Sequence, residues 1–282
     1  MLLFGKQYTK NNVNKIGGVI KLFELFKDEL SFNNVDYEVV DLNWRNYKNP
    51  VFAYIYIYYC ALFKINKHSS ISFHGTANEF IYLAPVVVFM SKLFRKKVSL
   101  RKFAGNFDVV FLKLNLTQKF LVKFCLKNSN AVFWETLHLV NFFKPYNSQT
   151  FWFPNVRPPQ SKLRKGVYKK NFVFIGQVKQ TKGIYQILEA FDSLAEGYSV
   201  DLYGPIEDSD FKVMCNERSN LNYCGVLTPS KVATTLINYD VLLLPTFHLG
   251  EGYPGVIIEA FSCGLPVIAS NWGGIPEIVR NG

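Results

Sequence analysis

Short apolar runs recur along the chain, each followed by a polar or glycine-bearing stretch and then by a segment with helical spacing. Residues 2–4, 37–42, 70–73, 97–101 and 131–134 form one series of predicted strands. Residues 172–176, 200–205, 221–227, 239–246 and the end of 263–270 form a second. Runs this short and apolar suit strands buried on both faces of a parallel sheet. Helices are predicted from about residue 17 to 30, over 77–94, and from the loop at 177–183 through 191. Residues 50–63 read as an aromatic-rich helix or a buried segment, and 131–134 as the last strand of the first half. The stretch from Phe151 through Pro154-Asn155 to Lys170 carries three prolines and several charges, the composition of a linker. Strand and helix alternate throughout, which predicts an α/β chain of two Rossmann-like halves, residues 1–160 and 161–282.

The most informative stretch is Glu251-Gly252-Tyr253-Pro254-Gly255-Val256-Ile257-Ile258-Glu259-Ala260. Pro254 and Gly255 suit a loop that ends by opening a helix. Such a helix aims free N–H groups and the positive end of its dipole forward. Glu259 then falls about one turn in, among apolar neighbours, where an unpaired carboxylate would be costly. It therefore needs a polar partner, and a pair of ligand hydroxyls would serve, because a carboxylate accepts on both oxygens. A structural glutamate beside a capping loop is the plainer alternative. The strand before this loop and the Cys263-Gly264-Leu265-Pro266 turn and strand after it make a βαβ unit. Its loop sits at a strand's carboxyl end, where such folds bind ligands.

Two glutamates separated by seven residues, the flanking strand, the Cys-Gly-Leu-Pro turn and Gly273-Gly274-Ile275-Pro276-Glu277 together resemble the retaining glycosyltransferases of family 4. The resemblance implies the GT-B architecture: two Rossmann-like domains facing a cleft, the first on the acceptor side and the second binding a nucleotide sugar. It implies that Glu259 binds the donor's ribose hydroxyls, with Pro254 and Gly255 beside it, and that Glu251 meets the donor sugar. Glu251 and Lys182 are the implied catalytic pair, Lys182 neutralising the donor's diphosphate. Gln177 stands where the family usually has arginine, so it would donate hydrogen bonds to the donor without carrying charge. The Gly17-Gly18 pair opening the first helix would face the diphosphate, because glycine lets a backbone come close.

The loop from Lys102 to Asp108 is a candidate acceptor site, with Asn106 in it. Many family relatives have a histidine in this loop, and this chain has none there. His74, ending the neighbouring strand, is either a substitute on the acceptor side or a hydrogen-bonded turn residue. Asp208-Ser209-Asp210 forms an Asp-x-Asp of the kind that holds a divalent ion in glycosyltransferases of the other main fold. In this setting it reads as a solvated acidic loop, and no metal or cofactor is expected. The donor, UDP- or GDP-linked, enters as substrate. The acceptor implied is a glycan or a polyprenyl-diphosphate-linked sugar, in bacterial surface polysaccharide synthesis. The rivals are a non-catalytic or inactive nucleotide-sugar-binding fragment and a GT-B-like sugar-nucleotide epimerase.

Charge sharpens this picture. Residues 1–165 hold 24 Lys/Arg and 9 Asp/Glu, giving +15, whereas residues 166–282 hold 8 and 12, giving −4. A basic first half suggests an anionic partner there, and because no recognised nucleic-acid-binding motif is present, nucleic acid is not the partner expected. Lys119, Lys123 and Lys127 recur every four residues beside Leu116, Phe120, Leu121 and Phe124, a stripe suited to an anionic membrane surface. Five scattered cysteines (Cys60, Cys125, Cys215, Cys224, Cys263) favour reduced thiols over a disulfide framework. The longest apolar run, 51–63, is shorter than the roughly 20 residues of a spanning helix. A cytoplasmic protein, peripheral on the inner face of the membrane, is the expectation. The chain stops just after Gly-Gly-Ile-Pro-Glu, where relatives continue, so the second domain is expected to be incomplete.

Overall fold

The computed structural model describes residues 1–8, 17–160, 163–164, 166–208, 211, 215 and 218–280. Residues 9–16, Ser209 and Asp210 of the Asp-x-Asp, and the last two residues lie outside the described residues. The chain divides into two compact units, Met1–Pro154 and Asn155–Gly282. Each unit has its own parallel sheet, in the α/β arrangement expected from the alternating pattern.

In the first unit the strands are β1 (Leu2–Gly5), β2 (Glu38–Asp41), β3 (Ser70–Gly75), β4 (Lys97–Lys102), β5 (Ala131–Trp134) and β6 (Thr150–Trp152). They lie in the order β2-β1-β3-β4-β5-β6. The helices are α1 (Gly18–Phe32), α2 (Pro50–Phe63), α3 (Ala77–Tyr82), α4 (Ala84–Leu93), α5 (Phe107–Lys113), α6 (Leu116–Asn128) and α7 (Leu137–Phe143). Helix α2 settles the reading of 50–63. The Asn49 side chain accepts from Phe52 N at 3.0 Å and Pro50 occupies the first turn, so the helix opens with a cap and a preset φ.

Two expectations need correction. The helix expected over 77–94 is two helices meeting at Leu83, with Pro85 in the first turn of the second. Proline lacks the N–H that would continue the ladder, so the chain restarts there. Residues 131–134 are not the last strand, because β6 pairs with β5 and forms the sheet edge. Its Phe151 and Trp152 are exposed, so burial patterning gave no strand signal, and the prolines downstream drew the segment into the linker.

The second unit has β7 (Asn171–Ile175), α8 (Ile184–Asp192), β8 (Ser199–Tyr203), β9 (Leu221–Tyr223), α9 (Val232–Leu236), β10 (Val241–Leu244), α10 (Gly255–Ser262) and β11 (Val267–Ala269). The order β11-β10-β7-β8-β9 matters for function. From β7 the chain winds outward through β8 and β9, then returns to place β10 on the other side of β7. The loops leaving β7 and β10 therefore diverge at a topological switch point, where open α/β sheets leave a crevice at the carboxyl ends of their strands. In the first unit the same reversal falls between β1 and β3, and Lys6 bridges it to Glu79 of α3 at 2.9 Å.

One glycine locks the second crevice. Gly183, between the 3-10 turn Gln180–Lys182 and α8, has φ +79°, and a Cβ there would strike the carbonyl oxygen of Pro245 at the end of β10. Gly18 is the contrast, since a Cβ at that helical position meets nothing within 4 Å. Gly183→Ala should therefore cost about 2 kcal/mol or more, from the left-handed backbone and the clash with a main-chain atom. Gly18→Ala should be neutral or stabilising by up to about 1 kcal/mol. Urea unfolding of both variants checks this, and equal effects would contradict it.

Candidate functional site

The switch-point crevice gathers most of the predicted donor-side residues. Lys182 ends the loop after β7 and ion-pairs with Oε2 of Glu251, which lies in the loop after β10. Thr246 Oγ1 donates to the same Glu251 oxygen at 2.8 Å, and Phe247 N donates to Thr181 O at 2.9 Å, which ties the two loops together. Glu251 is only 9% exposed, so its charge depends on these partners. The Gly-Gly-Ile-Pro-Glu segment closes the loop from the other side. Tyr253 OH donates to Glu277 at 2.6 Å, and Trp272 Nε1 donates to His248 O at 2.8 Å.

Pro254 caps α10, whose first residue is Gly255. The polar partner that Glu259 requires is Arg157, whose Nε donates to the carboxylate at 2.7 Å. Arg157 also donates to Asn155 Oδ1, and Asn155 Nδ2 in turn donates to Tyr253 O at 2.8 Å. This guanidinium lies over the N-terminus of α10, close enough that a Cβ on Gly255 would strike it. A cation at the positive end of a helix is electrostatically misplaced, and Glu259 offsets it. The arrangement places a guanidinium beside the free N–H groups of the helix, where an anion would be stabilised.

Sequence reasoning missed Arg157 as a site residue, because its partner lies 102 positions away. It also passed over His248, whose Nδ1 sits 3.4 Å from Thr181 Oγ1. Burial, with help from Lys182 and Lys179, lowers the pKa of His248 and favours the neutral ring. Its position just past the end of β10 was the available signal. Gln177 does not join the cluster: its amide donates to Glu207 at 2.7 Å, and Lys179 also approaches Glu207 at 3.5 Å. Asp208 accepts from Tyr185 OH, and the described residues contain no cluster of His, Cys, Asp and Glu able to hold a metal ion.

In the first unit, Gly17 and Gly18 open α1 without a side-chain cap, on an exposed surface. Asn106 precedes α5, and its side chain makes no cap bond. His74 requires correction. It is not a turn residue, since it lies within β3 and is 1% exposed. Phe23 and Phe26 pack their rings 5.2 and 4.6 Å from the imidazole, and burial lowers its pKa well below the ordinary value. Lys102, which ends β4, is buried too, donating to Ala104 O at 3.2 Å. Desolvation pulls its pKa down to about 8, with Glu135 and Asp108 opposing.

Residues 169–282 match a family model described as glycosyl transferases group 1. The chain is 28% identical over 106 residues to the putative teichuronic acid biosynthesis glycosyltransferase TuaC of Bacillus subtilis, covering 38% of this chain and 26% of that protein. It is 27% identical over 150 residues to the capsular polysaccharide biosynthesis glycosyltransferase CapM of Staphylococcus aureus, covering 48% of this chain and 38% of that one. The chain thus spans well under two thirds of these relatives. The crystal structure of Anabaena Alr3699/HepE in complex with UDP superposes with a TM-score of 0.66 at 14% identity, over 99% of this chain and 83% of that one. The two-sheet α/β fold is therefore shared with HepE.

The lowered pKa of Lys102 gives a pH test. The unfolded chain holds this proton up to about pH 10.5 and the folded chain only to about 8, so the burial penalty is complete below pH 8 and fades as pH rises between the two. Relative to Lys102→Met, the natural chain should gain about 2 kcal/mol of stability between about pH 7 and 9.5. Urea midpoints at the two pH values check this, and an unchanged difference would contradict it.

Proposed function

We propose that the chain is a retaining glycosyltransferase that moves a sugar from a nucleotide-sugar donor to a glycan or polyprenyl-linked acceptor in bacterial surface polysaccharide or glycolipid synthesis. The observation that carries this reading is the convergence of Lys182, Glu251, Arg157 and Glu259 on the switch-point crevice at the N-terminus of α10. TuaC and CapM, by their names, make surface polymers, and HepE binds UDP at low sequence identity but with the same fold.

In this structure each site carboxylate is held by a cation of its own. The donor would exchange these partners. Its diphosphate draws on Lys182 and the first amides of α10, and its ribose hydroxyls take the Glu259 oxygen that Arg157 Nε now occupies. Freed from Glu259, Arg157 stays beside the helix N-terminus and supplies the second positive charge that Gln177 does not. As the glycosidic bond breaks, negative charge grows on the diphosphate, and these preorganised donors favour that state over the ground state. Glu251, fixed by Lys182 and Thr246, orients the donor sugar. Transfer on the face of the leaving group accounts for retention, with the departing phosphate oxygen accepting the acceptor's proton.

Glu259→Gln should weaken UDP or GDP binding by about 10- to 100-fold, the worth of charge-assisted hydrogen bonds. Titration calorimetry with both nucleotides checks this, and unchanged affinity would remove Glu259 from the site.

The acceptor reading brings in the first unit's outer layer, where α4 packs between α2 and α6. Its surface exposes Phe52, Ile55, Phe89, Leu93, Leu116 (87%) and Phe120 (68%), with Lys92, Lys123 and Lys127 also exposed. Apolar side chains interspersed with lysines suit the interface of an anionic bilayer, each lysine there being worth about 1 kcal/mol. Among the described residues no helix is long and apolar enough to cross a membrane, so association would be peripheral. Sedimentation with liposomes at low salt should show stronger binding to anionic than to neutral vesicles, and a weaker preference in Lys123→Glu/Lys127→Glu. Equal binding to both vesicle types would contradict the reading.

A further inference from the structure

A different cluster, wholly within the first unit, holds a nearly buried cation with no hydrogen-bond acceptor among the described residues. Arg101 and His74 are partners in the β3–β4 register, so their side chains stand next to each other on one face of the sheet. Arg101 is 4% exposed, and its guanidinium carbon lies 3.9 Å from the centre of the Phe153 ring and 4.9 Å from that of Phe103. The His74 ring lies 6.3 Å from Phe103 as well, so both groups share that aromatic neighbour.

Stacking engages the faces of a guanidinium and leaves its in-plane N–H groups free. Arg101 makes no hydrogen bond or ion pair with any described residue. Its nitrogens are absent from the fully enclosed polar atoms that lack a partner, which leaves the edge of the fork within reach of solvent. The nearby Glu135 carboxylate accepts from Ala104 N at 2.9 Å and lies outside ion-pair distance of Arg101. Burial lowers the Arg101 pKa only to about 10, so the group is charged at neutral pH.

His74 adds a second polar group without a full set of partners. Its Nε2 pairs with Ser72 Oγ at 2.9 Å, and its Nδ1 is buried with no hydrogen-bond partner. A nearly buried guanidinium with no protein acceptor is best satisfied by oxygen lone pairs at the open edge of its fork. An oxyanion offers several at once, and a planar or tetrahedral one matches the fork in two places.

We propose that Arg101, with His74 behind it, forms an oxyanion-binding site in the first unit that takes a carboxylate or phosphate carried by the acceptor. Only the word acceptor rests on the glycosyltransferase reading. The anion site stands without it, and it gives the basic first half a specific ligand class beyond a diffuse charge effect.

The probes are inorganic phosphate and D-glucuronate, titrated calorimetrically into the full chain, Arg101→Met and Lys182→Ala. At least one probe should show a binding component that Lys182→Ala keeps and that Arg101→Met weakens roughly tenfold or more. A response to phosphate points to a phosphoryl-bearing acceptor, and a response to glucuronate to an acidic sugar. Because Arg101→Met risks the fold, a second readout uses the natural chain with 15N-labelled histidine, which has four such residues. The His74 Nδ1 resonance should move saturably with the same probe and stay still with chloride at equal ionic strength. Binding that is equal in Arg101→Met, absent for both probes, or silent at His74 overturns the site. Failure of nucleotide binding would sink the transferase reading and leave these results standing.

Discussion

The second unit depends on seating a carboxylate in a place where water barely reaches. Glu251 sits at the carboxyl end of β10, and it is tolerable there because Lys182 arrives from the loop after β7 and Thr246 from its own loop. Both loops must come together at the switch point for that pairing to exist. Gly183, whose left-handed backbone passes against Pro245, makes the close approach possible, and Tyr253–Glu277 and Trp272–His248 hold the loop from behind. The crevice is thus a consequence of strand order first and of side-chain chemistry second. On the proposed reading, the cation–carboxylate pairs are the contacts that a phosphate-bearing ligand would take over.

Much of this was legible in the sequence, and the limits have physical causes. Strands buried on both faces announce themselves as apolar runs, so β7, β8 and β10 were visible, as was the loop–helix join at Pro254-Gly255. The need of Glu259 for a partner followed from its apolar neighbours. The identity of that partner did not, because Arg157 is distant in sequence and lay in a stretch read only as linker. Strand β6 was missed for a related reason: an edge strand with exposed aromatics has no burial pattern to read. The break at Leu83 was local and readable, since Pro85 announces it.

The first unit shows where local reading misleads. His74, at a strand's end, looked available for chemistry, yet α1 lays Phe23 and Phe26 against it and takes it out of solvent. Arg101, which the sequence offered only as the end of a predicted strand, is stacked and buried between aromatic rings. Both outcomes come from packing between elements far apart in the chain. The net charge of the half pointed to an anionic partner, and the unpartnered guanidinium of Arg101 marks the place proposed for one.

The central claim is that Glu259 exchanges Arg157 for a nucleotide's ribose at the switch-point crevice. A crystal structure of the chain with UDP bound tests it most directly. The account predicts the ribose hydroxyls within hydrogen-bonding distance of Glu259, the diphosphate on Lys182 and the first amides of α10, and Arg157 released from the carboxylate. UDP bound elsewhere, with the Arg157–Glu259 pair intact, would contradict it.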